Sequence, residues 1–257
     1  MKTYKCQTNC YLNFCLDYGL QPAPASQSTL CSYVAFLGNN LSPSSIKGYL
    51  NAVRLLHLEG GFANPMIENW ELNMIQRGIL RQKGAPPKQK LPITVPILLD
   101  IYNTLSNSPA DRAFWAACLI AYYGFLRKST LLPSSPELIA GKYIARCDVL
   151  NLNLSSFLLR IRFSKTNQFG QRVLTLPYVM CGDFRLCPVR ALLTHFGASK
   201  LSELRPLFNF VEQGLEKFFS HAFFMSQLRV SLRRSGNNAV DISCHSFRWG
   251  VPHWRTK

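Results

Sequence analysis

Apolar residues recur every three or four positions through the first eighty residues, which is the spacing of amphipathic helices. The pattern is clearest after Ser42-Pro43, an N-cap followed by proline at the first helical position, and it stops at Gly60-Gly61. Shorter stretches with the same spacing cover residues 4–18, 28–37 and 70–80. The sequence therefore predicts that its first part is a small helical bundle.

A basic segment without apolar periodicity follows at residues 81–92, RQKGAPPKQKLP, and contains four Lys or Arg, three Pro and one Gly. This composition breaks helices. Because each side has enough apolar residues for a core of its own, we expect two domains, residues 1–88 and 89–257. The alternative is an exposed loop within a single domain.

The pattern after this segment is mixed. Residues 94–105 and 110–123 have helical spacing, whereas residues 142–152, 157–163 and 172–176 are rich in β-branched, aromatic and Leu residues and predict three antiparallel strands. Helical spacing returns at residues 188–195 and 221–233, and a last helix is predicted to begin near His245. The predicted fold class is therefore mainly α with a small antiparallel β-sheet, an α+β fold.

Charge narrows the range of partners. The chain has 29 Lys and Arg against 13 Asp and Glu, a net charge of +16, which indicates a polyanionic partner such as nucleic acid or an anionic membrane surface. No apolar run is long enough for a spanning helix, and the first twenty residues lack the features of a secretory signal. We expect a location in the nucleus or cytoplasm, reduced thiols and no membrane partner.

The sequence lacks the motifs of several enzyme classes. It contains no Gly-rich phosphate loop, H-E-x-x-H or G-x-S-x-G, and its nine cysteines lack the paired spacing of a zinc site. Its few carboxylates are too dispersed for a two-metal nuclease. We therefore expect no metal, no cofactor and no small-molecule substrate, so that a phosphodiester would have to be bound by cationic side chains.

Three sets of residues could bind such a group. Arg127 follows an apolar helix in GFLRKS, Lys165 lies at the predicted hairpin turn, and His245 and Arg248 form an H-x-x-R whose spacing places both on one helical face. Taken singly, each also has a structural interpretation, as a helix-end cation, a turn lysine and a buried capping histidine. The interpretation as a phosphate-binding set therefore depends on the occurrence of all these residues in this order.

That order of residues resembles the tyrosine recombinase (phage integrase) family. The segment RLCPVRALL is similar to the one that this family carries between its hairpin and its H-x-x-R, and the helical first part with its basic linker resembles the family's core-binding domain. The pair GFLRKS and CHSFR is similar to recombinases of eukaryotic mobile elements of the DIRS or Crypton kind. The resemblance implies a core-binding domain in residues 1–88 and a catalytic-type domain in residues 89–257.

The resemblance also implies roles for the four residues. Arg127, Arg248 and His245 would bind the scissile phosphate, and Lys165 would protonate the leaving 5′-oxygen while a tyrosine attacks to form a 3′-phosphotyrosyl bond. Guanidinium groups match phosphate oxygens in a bidentate manner, which suits them to the charge of a five-coordinate transition state.

The sequence departs from this family pattern at several points. All ten tyrosines lie at or before Tyr178, whereas the family's nucleophile follows the H-x-x-R, and Thr130 stands where an acidic residue is expected. His253 and Trp254 lie too close to Arg248 to be the family's second His/Trp position. We therefore expect a C-terminally incomplete relative that is inactive alone. The alternative is a subunit that takes its tyrosine from a complete partner protomer.

Further DNA contacts are expected outside the catalytic-type residues. The polar face of the helix after Ser42 and the basic linker supply the candidates Lys47, Asn51, Arg54, Lys83, Lys88 and Lys90. The sequence thus predicts binding of double-stranded DNA with a role in recombination or integration, with other recombinase protomers as further partners. The competing hypothesis is a non-catalytic helical interaction module whose charge is not used for DNA.

Overall fold

The computed structural model describes residues 2–84, 90–133, 135, 143–164, 167 and 171–248. The chain divides into two compact units, Met1–Lys88 and Gln89–Lys257. None of the helices in the described ranges is both long and apolar enough to cross a bilayer.

The first unit is helical, as the periodicity predicts. Its helices are α1 (Lys2–Asp17), α2 (Gln27–Asn40), α3 (Pro43–Glu59) and α4 (Trp70–Lys83). α1 packs on α3, and α2 packs on α4. Aromatic rings fill the core, where Tyr11 and Tyr33 meet edge to face with ring centroids 5.0 Å apart. Burial of these rings against one another stabilises the bundle more than helix propensity does.

The boundaries of α3 follow the predicted signals. Ser42 Oγ accepts a hydrogen bond from the Ser45 N–H, and Pro43 occupies the first turn, where its missing N–H costs nothing. The helix ends at Glu59, and Gly61 then adopts a φ of 78°, which a residue without a side chain reaches freely.

The second unit combines helices with two small antiparallel sheets. Its elements are α5 (Val95–Asn103), α6 (Pro109–Gly124), α7 (Lys128–Leu131), β1 (Val149–Leu150), β2 (Ser156–Ile161), β3 (Leu174–Val179), α8 (Pro188–Ala198), β4 (Phe210–Glu212), β5 (Leu215–Lys217) and α9 (His221–Arg234). Two 3-10 helices cover Arg146–Asp148 and Cys244–Arg248. α6 is the central helix, since it is buried from Ala113 to Tyr122 and contacts α8, β4 and the second 3-10 helix.

An aromatic pair helps to join the larger sheet to α6. Its strands run in the order β1-β2-β3, all antiparallel, with Ile161 opposite Leu174. Phe157 of β2 stacks on Tyr178 of β3 with ring centroids 4.7 Å apart, and the Tyr178 hydroxyl donates to the Ile120 carbonyl at 2.9 Å. A mainly α fold with small antiparallel sheets is therefore confirmed.

The first predicted strand is much shorter than expected. Residues 142–152 were predicted as a strand, but among residues 143–152, which the structure describes, only β1 forms a strand, and the 3-10 helix Arg146–Asp148 precedes it. The reason is the buried Asp148 carboxylate, which forms ion pairs with Arg160 at 3.1 Å and Arg162 at 2.8 Å. A buried carboxylate is stable only when it is paired in this way, and the turn places it between both guanidinium groups.

Sequence patterns missed the β4–β5 hairpin. Its two turn residues, Gln213 and Gly214, both have positive φ, 51° and 76°, as in a type I′ turn. Asn-Gly is the common sequence signal for such a turn. Gln-Gly does not predict it, because glutamine rarely occupies the left-handed region.

Two buried side chains, Arg146 and His195, contact backbone carbonyls in the loops beside this hairpin. Arg146 donates from Nη1 to the Ser199 carbonyl at 2.6 Å and from Nη2 to the Asn209 carbonyl at 3.1 Å. His195 is fully buried, with Nε2 3.1 Å from the Leu207 carbonyl oxygen. Burial, and then the charge of Arg146, lower the pKa of His195 to about 4.

We expect His195 to make the protein sensitive to mild acid. The unfolded chain protonates this imidazole below about pH 6.5, whereas the folded protein resists protonation until about pH 4. The stabilisation is therefore complete above pH 6.5 and is lost as the pH falls toward 4, by roughly 3 kcal/mol. Urea unfolding of wild type and His195→Gln at a series of pH values measures the difference. Identical pH dependence in both proteins would contradict the prediction.

Candidate nucleic-acid interface

The end of α6 brings Arg127 from the core to the surface. α6 stops at Gly124, where any side chain would collide with the Tyr178 hydroxyl, and Phe125 has a left-handed φ of 51°. A residue in this conformation terminates a helix and turns the chain. Leu126 then packs back into the core, so that Arg127 emerges directly before α7.

Arg127 has no counter-ion in the described part of the chain. Its side chain is half-buried and forms neither an ion pair nor a hydrogen bond with any described residue. Thr130, at the position where the family pattern has an acidic residue, is itself buried, and its N–H donates to the Arg127 carbonyl at 2.9 Å. The guanidinium is therefore not neutralised from this position and can accept an anion.

The 3-10 helix Cys244–Arg248 presents His245 and Arg248 on one side. Cys244, Ser246 and Phe247 are buried, whereas His245 and Arg248 are exposed. Side chains three residues apart lie one above the other in a 3-10 helix. The H-x-x-R therefore forms a single exposed face, as its spacing predicts, although the helix is of the tighter kind.

Backbone and aromatic contacts fix the position of this short helix. The Ile93 N–H donates to the Ser246 carbonyl at 3.0 Å, and the Ser243 N–H donates to Ser246 Oγ at 2.9 Å. The Phe247 ring is fully buried and packs on Phe224 of α9 with centroids 5.8 Å apart. These contacts hold the exposed pair in place.

The segment that carries Arg127 adjoins this helix. Lys128 and Leu126 line a small cavity together with Cys244 and Phe247, which places the two segments in contact. The charge of Lys128 also acts on the pKa values of two neighbours. It contributes after burial to the lowered pKa of His221, and it opposes the burial that raises the pKa of Cys244 to about 11.

The structure thus places the segment that carries Arg127 and Lys128 against the 3-10 helix that carries His245 and Arg248. We name Arg127, Lys128, His245 and Arg248 the cationic cluster. Among the residues that the structure describes, no carboxylate pairs with any of the four. Unneutralised positive charge concentrated on a small surface attracts a polyanion.

Lys165 lies outside the described residues. The hairpin that carries it is described up to its edges, where Ser164 and Asn167 form an isolated antiparallel bridge beyond β2. The turn predicted around Lys165 and the position of the lysine relative to the cationic cluster therefore stay predictions.

The first unit carries a second polar surface. Lys47 and Asn51 of α3 are exposed, and half-buried Arg54 donates from Nε to Asn51 Oδ1 at 3.3 Å. Lys47 also lines a groove of about 350 Å³ between α3 and α4, opposite Arg77. Arg77 was not predicted from the sequence, although the polar face of α4, with Asn73, Gln76 and Arg77, was a signal for it.

The linker lysines differ in their surroundings. Lys83 donates its ammonium to the carbonyls of Gly38 and Asn39, which lie at the unsatisfied C-terminal end of α2. Lys90 donates to the Val240 carbonyl at 2.7 Å. Both are therefore engaged with backbone in this structure, and Lys88 lies outside the described residues. Lys128, in contrast, was missed, because its place directly after Arg127 gave no periodic signal.

Comparison with known proteins identifies a relative. No protein family model matches the chain. The chain is 24% identical over 200 residues to an "Integrase/recombinase xerD homolog" of Selenomonas ruminantium, a match that covers 75% of this chain and 54% of the relative. The chain is thus similar in sequence to an integrase/recombinase, as the resemblance to the tyrosine recombinases predicts. The predicted resemblance is confirmed at the level of this family.

A solved structure also aligns with this chain. It is described as the XerH site-specific recombinase bound to palindromic difH substrate in a post-cleavage complex, and it matches with a TM-score of 0.49 and 12% identity over 88% of this chain and 57% of that one. The relationship itself rests on the sequence similarity. The chain spans little more than half the length of the proteins that it matches.

Proposed function

We propose that this tyrosine recombinase relative binds the backbone of double-stranded DNA through the cationic cluster and acts in DNA recombination or integration. The observation that carries the proposal is the burial pattern of the 3-10 helix Cys244–Arg248. It exposes only His245 and Arg248, next to the segment that carries Arg127 and Lys128. Such a surface suits a phosphodiester better than a neutral partner, since hydrogen bonds between charged groups are stronger than those between neutral groups.

The chemistry of the side chains supports the same role. Arg127 and Arg248 offer planar guanidinium groups whose donors match two phosphate oxygens, and His245 offers a further donor. By resemblance to the family, Lys165 would supply the proton for the leaving oxygen. No tyrosine follows Tyr178 in the 257 residues, so the proposal assigns phosphate binding to these residues and the nucleophilic step to none of them.

We include the first unit in the proposed DNA surface. Lys47, Asn51 and Arg54 lie along α3, and Arg77 faces Lys47 across the α3–α4 groove. These side chains fit the role of a core-binding domain, because contacts to phosphates position a protein on a duplex without reading its sequence. The finer likeness to DIRS or Crypton elements, a nuclear location and pairing with other protomers belong to this proposal and stay predictions.

Salt dependence provides the test. Each phosphate neutralised by Lys or Arg contributes about −0.9 to the slope of log affinity against log salt, so five contacts would give roughly −4.5. We therefore expect the affinity for a random duplex to fall roughly 500-fold between 50 and 200 mM salt. Fluorescence anisotropy with a labelled duplex measures this, and a second duplex of unrelated sequence should bind equally well.

The competing hypothesis predicts a different result. A helical interaction module whose charge serves only solubility would show no measurable duplex binding at either salt concentration. An affinity that is measurable but unchanged between low and high salt would also contradict the proposal, since contacts to phosphates always release counter-ions.

A further inference from the structure

Three soft ligand side chains meet at the inner side of the 3-10 helix Cys244–Arg248. Cys244 Sγ lies 3.6 Å from His221 Nε2 and 3.2 Å from Met225 Sδ. His221 and Met225 are four residues apart on α9, so both project from one face of that helix toward Cys244. A thiol, an imidazole and a thioether thus converge from two separate elements.

We propose that Cys244, His221 and Met225 bind a monovalent soft metal ion, Cu(I). Thiolate and thioether sulfur select Cu(I) over hard cations, and imidazole is an equally suitable ligand for copper. Cys244 and His221 are only two ligands, and among the described residues no group of three His, Cys, Asp or Glu is placed to hold a metal ion. The thioether of Met225 would be the third ligand. The sequence predicted no metal because it lacks paired thiol spacing, an H-E-x-x-H motif and clustered carboxylates, and these three ligands match none of those patterns.

One of the two separations already fits a three-coordinate ion, and the other requires a side-chain movement. With metal–sulfur and metal–nitrogen bonds of about 2.3 and 2.0 Å, trigonal angles separate nitrogen from sulfur by about 3.7 Å and two sulfurs by about 4.0 Å. The observed separation of 3.6 Å between Cys244 Sγ and His221 Nε2 already agrees. The two sulfurs must move apart from 3.2 Å, which the flexible, half-buried Met225 side chain permits.

The charge of the surroundings selects a monovalent ion. Cys244 is only 8% exposed, and the charge of Lys128 acts on both Cys244 and His221. A thiolate with Cu(I) is neutral as a unit and can therefore be buried beside a lysine. A divalent ion with one thiolate would leave a net positive charge there, which is costly in a poorly solvated place.

Binding requires one proton transfer and no redox change. The proton comes from the Cys244 thiol. The Cu–S bond then forms as the S–H bond breaks, and the proton leaves to solvent.

An ion at this site would connect α9 to the residue that precedes His245. It would restrict the 3-10 helix from its buried side and leave the exposed His245 and Arg248 unobstructed. The site does not depend on the proposed DNA binding, and either proposal can fail without the other.

Competition for Cu(I) tests the proposal. The whole chain is titrated anaerobically with Cu(I) held by a coloured chelator, and we expect one tight site. Cys244→Ser should abolish that site, and Met225→Leu and His221→Asn should each weaken it at least tenfold. X-ray absorption of the copper complex should show two sulfur ligands and one nitrogen ligand.

Matched controls separate this site from the other thiols. Cys147→Ser and Met180→Leu alter a half-buried thiol and an exposed thioether elsewhere, and both should bind Cu(I) as wild type does. Met225→Leu preserves apolar volume, and circular dichroism shows whether each variant is folded. Unchanged Cu(I) affinity in Cys244→Ser or in Met225→Leu would overturn the proposal and assign the binding to other cysteines.

Discussion

Replacing Arg248 with alanine is expected to weaken duplex DNA binding by about tenfold, or about 1.4 kcal/mol. Arg248 is exposed beside His245 and has no counter-ion among the described residues, so its removal takes away a charge-assisted contact without disturbing the core. Arg248→Lys should recover only part of the affinity, because an ammonium keeps the charge but lacks the planar fork. Anisotropy titrations at constant salt measure each value.

The double variant with Arg127→Ala tests whether both arginines bind one phosphate. Residues that share a partner give a smaller combined loss than the sum of the single losses, by at least about 0.5 kcal/mol. Arg205, which is exposed and paired with Glu216 at 3.2 Å, provides the matched control. A loss in Arg205→Ala as large as in Arg248→Ala would mean that overall charge, rather than the cationic cluster, determines the affinity.

Replacing Phe247 with alanine is expected to lower the free energy of unfolding by about 3–5 kcal/mol. The ring is fully buried, packs on Phe224 and lines the cavity that joins the Lys128 segment to the 3-10 helix. Deleting it leaves a void that the rigid α6 cannot fill, and it releases the element that positions His245. Urea denaturation followed by tryptophan fluorescence measures the loss.

Two further substitutions give this prediction its controls. Phe184 is 56% exposed, so Phe184→Ala should change the free energy of unfolding by less than about 1 kcal/mol. Phe247→Leu retains most of the apolar volume and should stay folded. DNA binding can then be measured in a protein whose 3-10 helix has lost its aromatic contact with Phe224. A cost below 1 kcal/mol for Phe247→Ala would show that this ring does not anchor the site.

Local signals predicted most of the helical elements. The N-cap and proline at Ser42-Pro43 and the glycines after Glu59 act within a few residues, so their effect is readable without knowledge of the fold. The predicted length of the first strand was wrong because Asp148 forms ion pairs with arginines that come 12 and 14 residues later. Pairing of a buried charge is a tertiary interaction and overrides strand propensity.

The candidate site also combines a feature that the sequence predicted with contacts that only the tertiary structure creates. The H-x-x-R spacing predicted a shared face for His245 and Arg248, because three-residue spacing aligns side chains in either kind of helix. No local pattern placed Lys128 beside Cys244, since more than a hundred residues separate them. The proposed ligands His221 and Met225 lie 23 and 19 residues before Cys244, a spacing that matches no common metal motif.

The sequence by itself determined the mainly helical fold class, the excess of positive charge and the order of the residues that resemble a tyrosine recombinase. These properties depend on composition and on neighbours a few positions apart. Only the tertiary structure decided that the Arg127 segment adjoins the 3-10 helix and that Lys83 and Lys90 bond to backbone carbonyls. Such contacts form when burial of apolar side chains brings distant segments together, and no local periodicity encodes them.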